Sequence, residues 1–258
     1  MILQAEGLTK DYHRTRVVDG VGFDLPAGGS LGIVGESGSG KTTTARMLIG
    51  LERPTAGRVV IDGADHTRPA RRARERRARG RRIQIVFQDP YTSLDRRQKV
   101  GDCLGEIARL HFGLRGAALA ARVEELAALV GLDERQLRAL PGALSGGQRQ
   151  RVAIARALAA QPEIVILDEA VSALDVSIQA QILNLLADIR ARTGVSYLFI
   201  SHDLAVIRQI TDETVVMRQG RIVESGPTAA LLDRPTHPYT RLLLDSVPRP
   251  GWKPAPRK

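Results

Sequence analysis

Gly35-Glu36-Ser37-Gly38-Ser39-Gly40-Lys41-Thr42-Thr43 is the stretch on which the reading of this chain turns. It matches the pattern G-x-x-x-x-G-K-[ST], follows the β-run Ser30–Val34 and opens a helix that continues to about Gly50. Glycines in such a loop let the backbone wrap phosphates with its N–H groups, and the helix start favours their negative charge. Lys41 is placed to reach the β- and γ-phosphates, and the Thr42 hydroxyl to ligate Mg²⁺. Gly35, Ser37, Gly38, Ser39, Gly40 and Thr43 complete the candidate cradle. A nonfunctional glycine-rich turn is the bland alternative, and the strand-to-helix context argues against it.

Working outward, the flanking sequence alternates strands and helices. Upstream and just downstream, short strands at Ile2–Ala5, Val17–Leu25 and Arg58–Ile61 are punctuated by turns at 26–29 and at Asp62-Gly63. The block from Gly101 to Leu140 reads as helical with a break at Gly113–Gly116, and a further helix from about Gly147 to Ala160 stops before Pro162. Ile164–Leu167 and Ser196–Ile200 are the apolar runs of parallel strands buried on both faces, joined by a helix at Ile178–Arg192. A hairpin pairs Thr214–Met217 with Arg221–Glu224 across Gln219-Gly220. The pattern predicts an α/β fold on a mostly parallel sheet, with an all-helical block at about 95–160 inserted as its own lobe.

Ligands of open α/β sheets gather at the carboxyl ends of the strands. Asp168 and Glu169 follow Ile164–Leu167 at that end. Asp168 suits a metal shell, while Glu169 suits a residue that accepts a proton from, or orients, attacking water. Adjacent acids after a strand also occur as helix caps. Gln88 follows the strand Ile83–Phe87 and His202 follows Tyr197–Ile200. Each taken singly reads equally well as a loop residue; four strand ends all delivering phosphate-handling groups do not.

Leu144-Ser145-Gly146-Gly147-Gln148, ahead of a helix and twenty residues before Asp168, resembles the signature of ATP-binding cassette ATPases. The resemblance covers nearly the whole chain and keeps its motifs in order: Gly35–Thr42, Gln88, Leu144–Gln148, Ile164–Glu169, Ser172-Ala-Leu-Asp175 and His202. It implies a P-loop NTPase core with a mostly parallel sheet, an antiparallel β subdomain and an inserted α-helical subdomain. The expected division is a nucleotide-binding core at 1–94 and 161–235, a helical signature subdomain at 95–160 and a C-terminal extension at 236–258. It further implies ATP and Mg²⁺ as cofactors, with Thr42, Gln88 and Asp168 at the metal and Glu169, His202 and Gln88 in catalysis. Tyr12 stands where the family stacks an aromatic on adenine. Ser145, Gly147 and Gln148 of one subunit, with Asp175, are implied at the opposite subunit's ATP site in a head-to-tail dimer.

A narrower resemblance, to the ATPases of peptide and nickel importers, rests on three segments. They are Val86-Phe-Gln-Asp-Pro-Tyr-Thr-Ser-Leu94, Asp168–Ser177 and His237-Pro-Tyr-Thr-Arg-Leu-Leu-Leu244. It implies a subunit at the cytoplasmic face of the membrane, bound to two permease subunits, to a second, nonidentical ATPase and, within the system, to an extracytoplasmic substrate-binding protein. Oligopeptides or dipeptides are the favoured substrates; a nickel or metal-chelate importer and an accessory ATPase of phosphonate metabolism are the alternatives. Many peptide-importer members carry a cysteine cluster after the His-Pro-Tyr-Thr segment, which is missing up to Lys258. His237 beside Pro238 is read as a structural turn, not as a metal ligand.

Composition bounds the rest. Charged residues are 26% and hydrophobic ones 43%, ordinary globular values, and no run approaches the roughly 18 to 20 apolar residues of a membrane helix. No signal peptide is expected at the N-terminus. Cys103 is the one cysteine, which excludes an intrachain disulfide or a Cys-based metal cluster and reads as a buried core thiol. Of the net charge of +10, the segment Arg68–Arg82 carries +8 through nine arginines and one glutamate. Aromatic residues at 3% are few for single-strand stacking, so no nucleic-acid partner is expected; the run is read as a solvated surface helix or loop, with attraction to anionic lipid headgroups or an acidic partner as the alternative. A DNA-repair or chromosome-organising ATPase would separate its motifs with coiled coils or zinc modules, and a translation-factor ATPase would carry two cassettes. The tail Pro248–Lys258, with four prolines, is expected to be disordered.

Overall fold

Apolar runs and helical stretches alternate along the chain, and the structure, a computed structural model, describes residues 1–89 and 93–245. Part of the segment Val86–Leu94 and the expected tail Pro248–Lys258 lie outside the described residues. The strands are β1 Leu3–Tyr12, β2 Thr15–Leu25, β3 Ser30–Val34, β4 Ala56–Ile61, β5 Ala64–Asp65, β6 Ile83–Val86, β7 Ile164–Asp168, β8 Ser196–Ile200, β9 Glu213–Arg218 and β10 Arg221–Pro227. The helices are α1 Lys41–Leu48, α2 Ala73–Arg82, α3 Val100–Phe112, α4 Gly116–Val130, α5 Glu134–Arg138, α6 Gly146–Leu158, α7 Val176–Thr193, α8 Leu204–Ile210, α9 Thr228–Asp233 and α10 Pro238–Asp245.

Two sheets result. The first, in the order β2-β1-β4-β5, is antiparallel throughout. Its first two strands run longer than the sequence predicts, because Glu6-Gly7 breaks the apolar alternation where the ladder only shifts register, between Ala5 and Leu8. The extra length carries β1 out to Tyr12, paired with Thr15. The second sheet has the order β10-β9-β3-β8-β7-β6 and is parallel from β9 to β6, with β10 antiparallel at the edge. All five residues of β3, of β7 and of β8 are buried, as strands covered on both faces require.

Between the sheets Leu3, Leu25, Ile33, Met47, Leu48, Ile61 and Leu198 form one buried cluster. On the other face of the parallel sheet a second cluster joins Leu167, Tyr197 and Phe199 to Leu104, Leu126, Val130 and Val152 of the helical block. The inserted helices therefore share a continuous apolar core with the sheet. Tyr197 and Phe199 pack edge to face at 5.9 Å between ring centres, and the Tyr197 hydroxyl donates to the Leu186 carbonyl at 3.0 Å. Burial pushes the Tyr197 phenol well above its ordinary value.

From Ala73 onward the arginine run is a helix, α2, with an exposed outer face as expected, but Arg79 turns inward. Its Nε donates to His66 Nδ1 at 3.1 Å, and its Nη2 donates to the carbonyls of Arg68, at 3.0 Å, and of His66. Desolvation lowers the Arg79 pKa against the opposing field of Asp65. The expectation of a uniformly solvated run fails at this position: the side chain serves as the hydrogen-bonding centre of its own surface loop. Cys103 is buried in α3, and burial raises its thiol pKa.

Candidate functional site

The Gly35–Lys41 loop leaves the end of β3 and turns into α1, and its shape follows from what lies beneath it. Gly35 sits so close to β9 that a Cβ would be 2.2 Å from the Met217 carbonyl oxygen, and Gly40, with φ of +100°, would place one 2.8 Å from the Val17 carbonyl oxygen. No L side chain fits either place. Ser39 N–H donates to the Glu36 carbonyl at 3.2 Å, and Gly220 N–H donates to the Ser39 carbonyl at 3.1 Å, closing the loop over the β9–β10 turn.

Lys41 is buried inside this turn. Its Nζ donates to the carbonyls of Gly35 at 2.7 Å and Glu36 at 2.8 Å, which leaves one ammonium proton for an anion. Desolvation lowers its pKa, while Glu169, Asp168 and Glu36 pull the other way. The Ser39 hydroxyl is buried without a hydrogen-bond partner. A buried cation with a spare proton and an orphaned hydroxyl, at a helix start, fit a phosphate ligand.

The neighbouring strand ends converge on the loop. Thr42 Oγ1 donates to Asp168 Oδ1 at 3.3 Å, and desolvation raises the Asp168 pKa even against that bond and the field of Lys41. A hydroxyl and a carboxylate oxygen held side by side next to a phosphate cradle are the hard oxygen donors that a magnesium ion takes. Glu169 adopts a left-handed backbone, φ of 50°, with its N–H donating to the Ile200 carbonyl at 2.9 Å. A glutamate held there is strained, and such strain gathers at functional positions. His202 Nδ1 lies 3.5 Å from Glu169 Oε1. Gln88 Nε2 donates to Ser172 Oγ at 3.4 Å, and Ser172 Oγ donates to the Glu169 carbonyl at 2.9 Å. Ser172 thus links Gln88 to the Glu169 backbone, while His202 meets the Glu169 carboxylate directly; the sequence reading named Ser172 only as part of a motif, without this bridging role.

Tyr12 is partly exposed at the end of β1, with the Lys10 ammonium 4.8 Å from its ring centre. Ser145, Gly147 and Gln148 stand apart from these contacts, at the start of α6. There Ser145 Oγ accepts from Gln148 N–H at 3.3 Å, and Gln148 Oε1 accepts from Ser145 N–H at 2.9 Å. In the single chain the side chains of Ser145 and Gln148 close a capping box, which satisfies amide groups of the exposed helix end. Asp175 is exposed at the start of α7 and its side chain makes no cap there. His237 Nδ1 accepts from Tyr239 N–H at 3.1 Å at the start of α10, in keeping with its reading as a structural turn.

Residues 18–172 match the family model described as ABC transporter, and residues 223–257 match the one described as oligopeptide/dipeptide transporter, C-terminal region. The chain belongs to the ABC transporter family. It is 45% identical over 244 residues to the di/tripeptide transport ATP-binding protein DppF of Pseudomonas aeruginosa, covering 95% of this chain and 75% of that one. It is 49% identical over 243 residues to the glutathione import ATP-binding protein GsiA of Escherichia coli K12, covering 93% of this chain and 38% of the relative. A dimeric structure of the post-hydrolysis state of an ATP-binding cassette, bound to ADP and Pi, superposes with a TM-score of 0.78 at 28% identity, over 88% of this chain and 98% of that one. This ABC protein is therefore an ATP-binding ATPase built on a P-loop NTPase fold. Among the described residues no helix is long and apolar enough to cross a membrane.

Proposed function

We propose that this ABC ATPase hydrolyses ATP to energise a membrane importer of oligopeptides or dipeptides. The observation that carries the chemistry is the convergence of Lys41, Thr42, Asp168, Glu169 and His202 at the carboxyl ends of adjacent parallel strands. In this reading Lys41 and the amides of Ser37–Thr43 hold the phosphates, and Tyr12 stacks on the base. Thr42 and Asp168, with Gln88, would hold a magnesium ion, which would supply neutralisation of phosphate charge. Glu169 orients the attacking water and takes its proton, while His202 contacts the γ-phosphate and is steadied by Glu169.

Ser145, Gly147 and Gln148 serve the opposite subunit of a head-to-tail dimer, and Asp175 connects the two sites. The dimeric state of the solved relative and the exposure of Ser145 at the start of a separate helix support this reading. Two permease subunits, a second, nonidentical ATPase subunit and an extracytoplasmic binding protein complete the system. Permease contact holds the chain at the cytoplasmic face of the membrane, and we read 1–94 with 161–235 as the nucleotide-binding core beside a helical subdomain at 95–160. The C-terminal match at 223–257 and the names of the relatives support peptides as substrate.

Reconstitution of the complete complex in liposomes tests the assignment. ATP-dependent accumulation of labelled di- to pentapeptides, with peptide-stimulated ATPase activity, is the expected result. Stimulation by nickel alone would move the substrate to a metal, and failure of any permease to co-purify would remove the transport role.

A further inference from the structure

The segment after β10 is tied to the phosphate loop by one side chain. Tyr239, in α10, is buried, and its hydroxyl accepts a hydrogen bond from Glu36 N–H at 3.1 Å. The Arg218 guanidinium lies 4.8 Å from the centre of the Tyr239 ring and holds it from the β9 side. Glu36 is the residue whose carbonyl accepts from Lys41 Nζ at 2.8 Å and from Ser39 N–H at 3.2 Å. Both polar groups of the Glu36 backbone are therefore fixed, the amide by Tyr239 and the carbonyl by the loop's own lysine.

The other end of the segment is anchored as firmly. The Glu224 carboxylate of β10 accepts from Thr236 N–H at 2.7 Å, from Thr236 Oγ1 at 2.8 Å and from His237 N–H at 3.3 Å. His237 caps the first turn of α10, and Leu243 and Leu244 pack against the larger apolar cluster. A continuous path thus runs from Glu224 through residues 236–239 to Glu36 and Lys41.

We propose that Tyr239 is a positioning residue for the phosphate loop and that residues 236–245 are coupled to nucleotide binding through it. The inference rests on ATP occupying the Gly35–Thr42 loop. Fixing the Glu36 peptide keeps the Gly35 and Glu36 carbonyls pointed at Lys41, so the ammonium is held ready for phosphate before the ligand arrives. Coupling between two binding events is reciprocal, so nucleotide in the loop must also tighten the docking of α10.

The full-length chain carrying Tyr239→Phe tests this, since it removes the acceptor oxygen and keeps the ring. Equilibrium titration with a fluorescent ATP analogue in the presence of EDTA reads affinity without hydrolysis or metal. Loss of one neutral hydrogen bond predicts roughly three- to tenfold weaker binding. In the ATPase assay KM should rise while kcat changes less than about twofold, the pattern of a lost ground-state contact. Hydrogen exchange should show residues 236–245 more protected on adding nucleotide in the wild type, and unchanged in Tyr239→Phe. Glu224→Gln, which weakens the anchor and leaves Tyr239 intact, should shift affinity in the same direction by a smaller factor. Unaltered affinity in Tyr239→Phe, with or without a lowered Tm, overturns the coupling. A wild-type chain that fails to bind the analogue overturns the reading of the loop itself, and the coupling with it.

Discussion

Gly147 in α6 lies directly against Ile178 in α7: a Cβ on Gly147 would stand 2.6 Å from Ile178 Cγ2. The signature glycine is thus needed within one subunit, to let α6 start beside α7. Alanine would gain about 1 kcal/mol of helix propensity, but it forces a β-branched side chain aside at a cost of about 1–3 kcal/mol. Gly147→Ala should therefore lower Tm, and Ile178→Ala added to it should recover most of the loss. Additive losses in that double-mutant cycle would show that the contact is not the cause.

Glu224 supplies a pH prediction. Burial works to raise its pKa, but the hydrogen bonds from Thr236 and His237 outweigh it and hold the carboxyl below its ordinary range. A depressed folded-state pKa means that its stabilising contribution is present above the ordinary glutamate pKa, about 4.3, and is lost as pH falls through the lower folded value. Protection of the amides of residues 236–245, corrected for intrinsic exchange, should hold from pH 7 down to about that range and collapse below it. Glu224→Gln should show weaker protection with no such step. A wild-type profile that is flat through the acid range would release Glu224 from the anchor.

Most of the chemistry is legible before folding, because phosphate binding is local. Gly35–Thr42 and Asp168-Glu169 carry their own geometry in consecutive residues, and the structure brings them within reach of one another. The parallel strands were equally readable, since β3, β7 and β8 are apolar at nearly every position. Contacts made by residues far apart in sequence were not. Tyr239 meets Glu36 across about two hundred positions, and nothing in the spacing of His237-Pro-Tyr-Thr points at the loop. Arg79 among nine arginines has no local mark of burial; only its place opposite His66 and Gly50 turns it inward. Gln148 is a further case, because its side chain caps its own helix, a role the signature pattern does not announce.

Shared sites predict complementation. Ser145 is exposed and caps α6, a different element from the one that carries the Lys41 loop. Ser145→Arg should keep ATP-analogue binding in the single chain while cutting hydrolysis by at least tenfold. Lys41→Ala, by contrast, should lose binding. Mixed as a homodimer, the two variants build one site from two intact halves and should recover a fraction of wild-type ATPase activity. Zero recovery at concentrations where the mixed dimer is shown to form would refute a site completed by the partner.

The final prediction concerns Glu169. Its strained backbone is fixed at the N–H by Ile200 and at the carbonyl by Ser172, while its carboxylate stands beside His202 at 3.5 Å. Holding the main chain so firmly leaves the side chain as the free element at the phosphate end of the sheet. Glutamine keeps the shape and removes the base, so Glu169→Gln should bind ATP as the wild type does and hydrolyse it at least about 10²-fold more slowly, the usual worth of a positioned base. With hydrolysis blocked, the ATP-bound dimer should accumulate and be visible by size-exclusion chromatography with ATP in the buffer. Glu169→Asp, which retains a carboxylate but shortens its reach, should fall between the two, because a base must lie within hydrogen-bond distance of the proton it takes. Wild-type turnover in Glu169→Gln would transfer the role to His202, and His202→Ala would then have to abolish it.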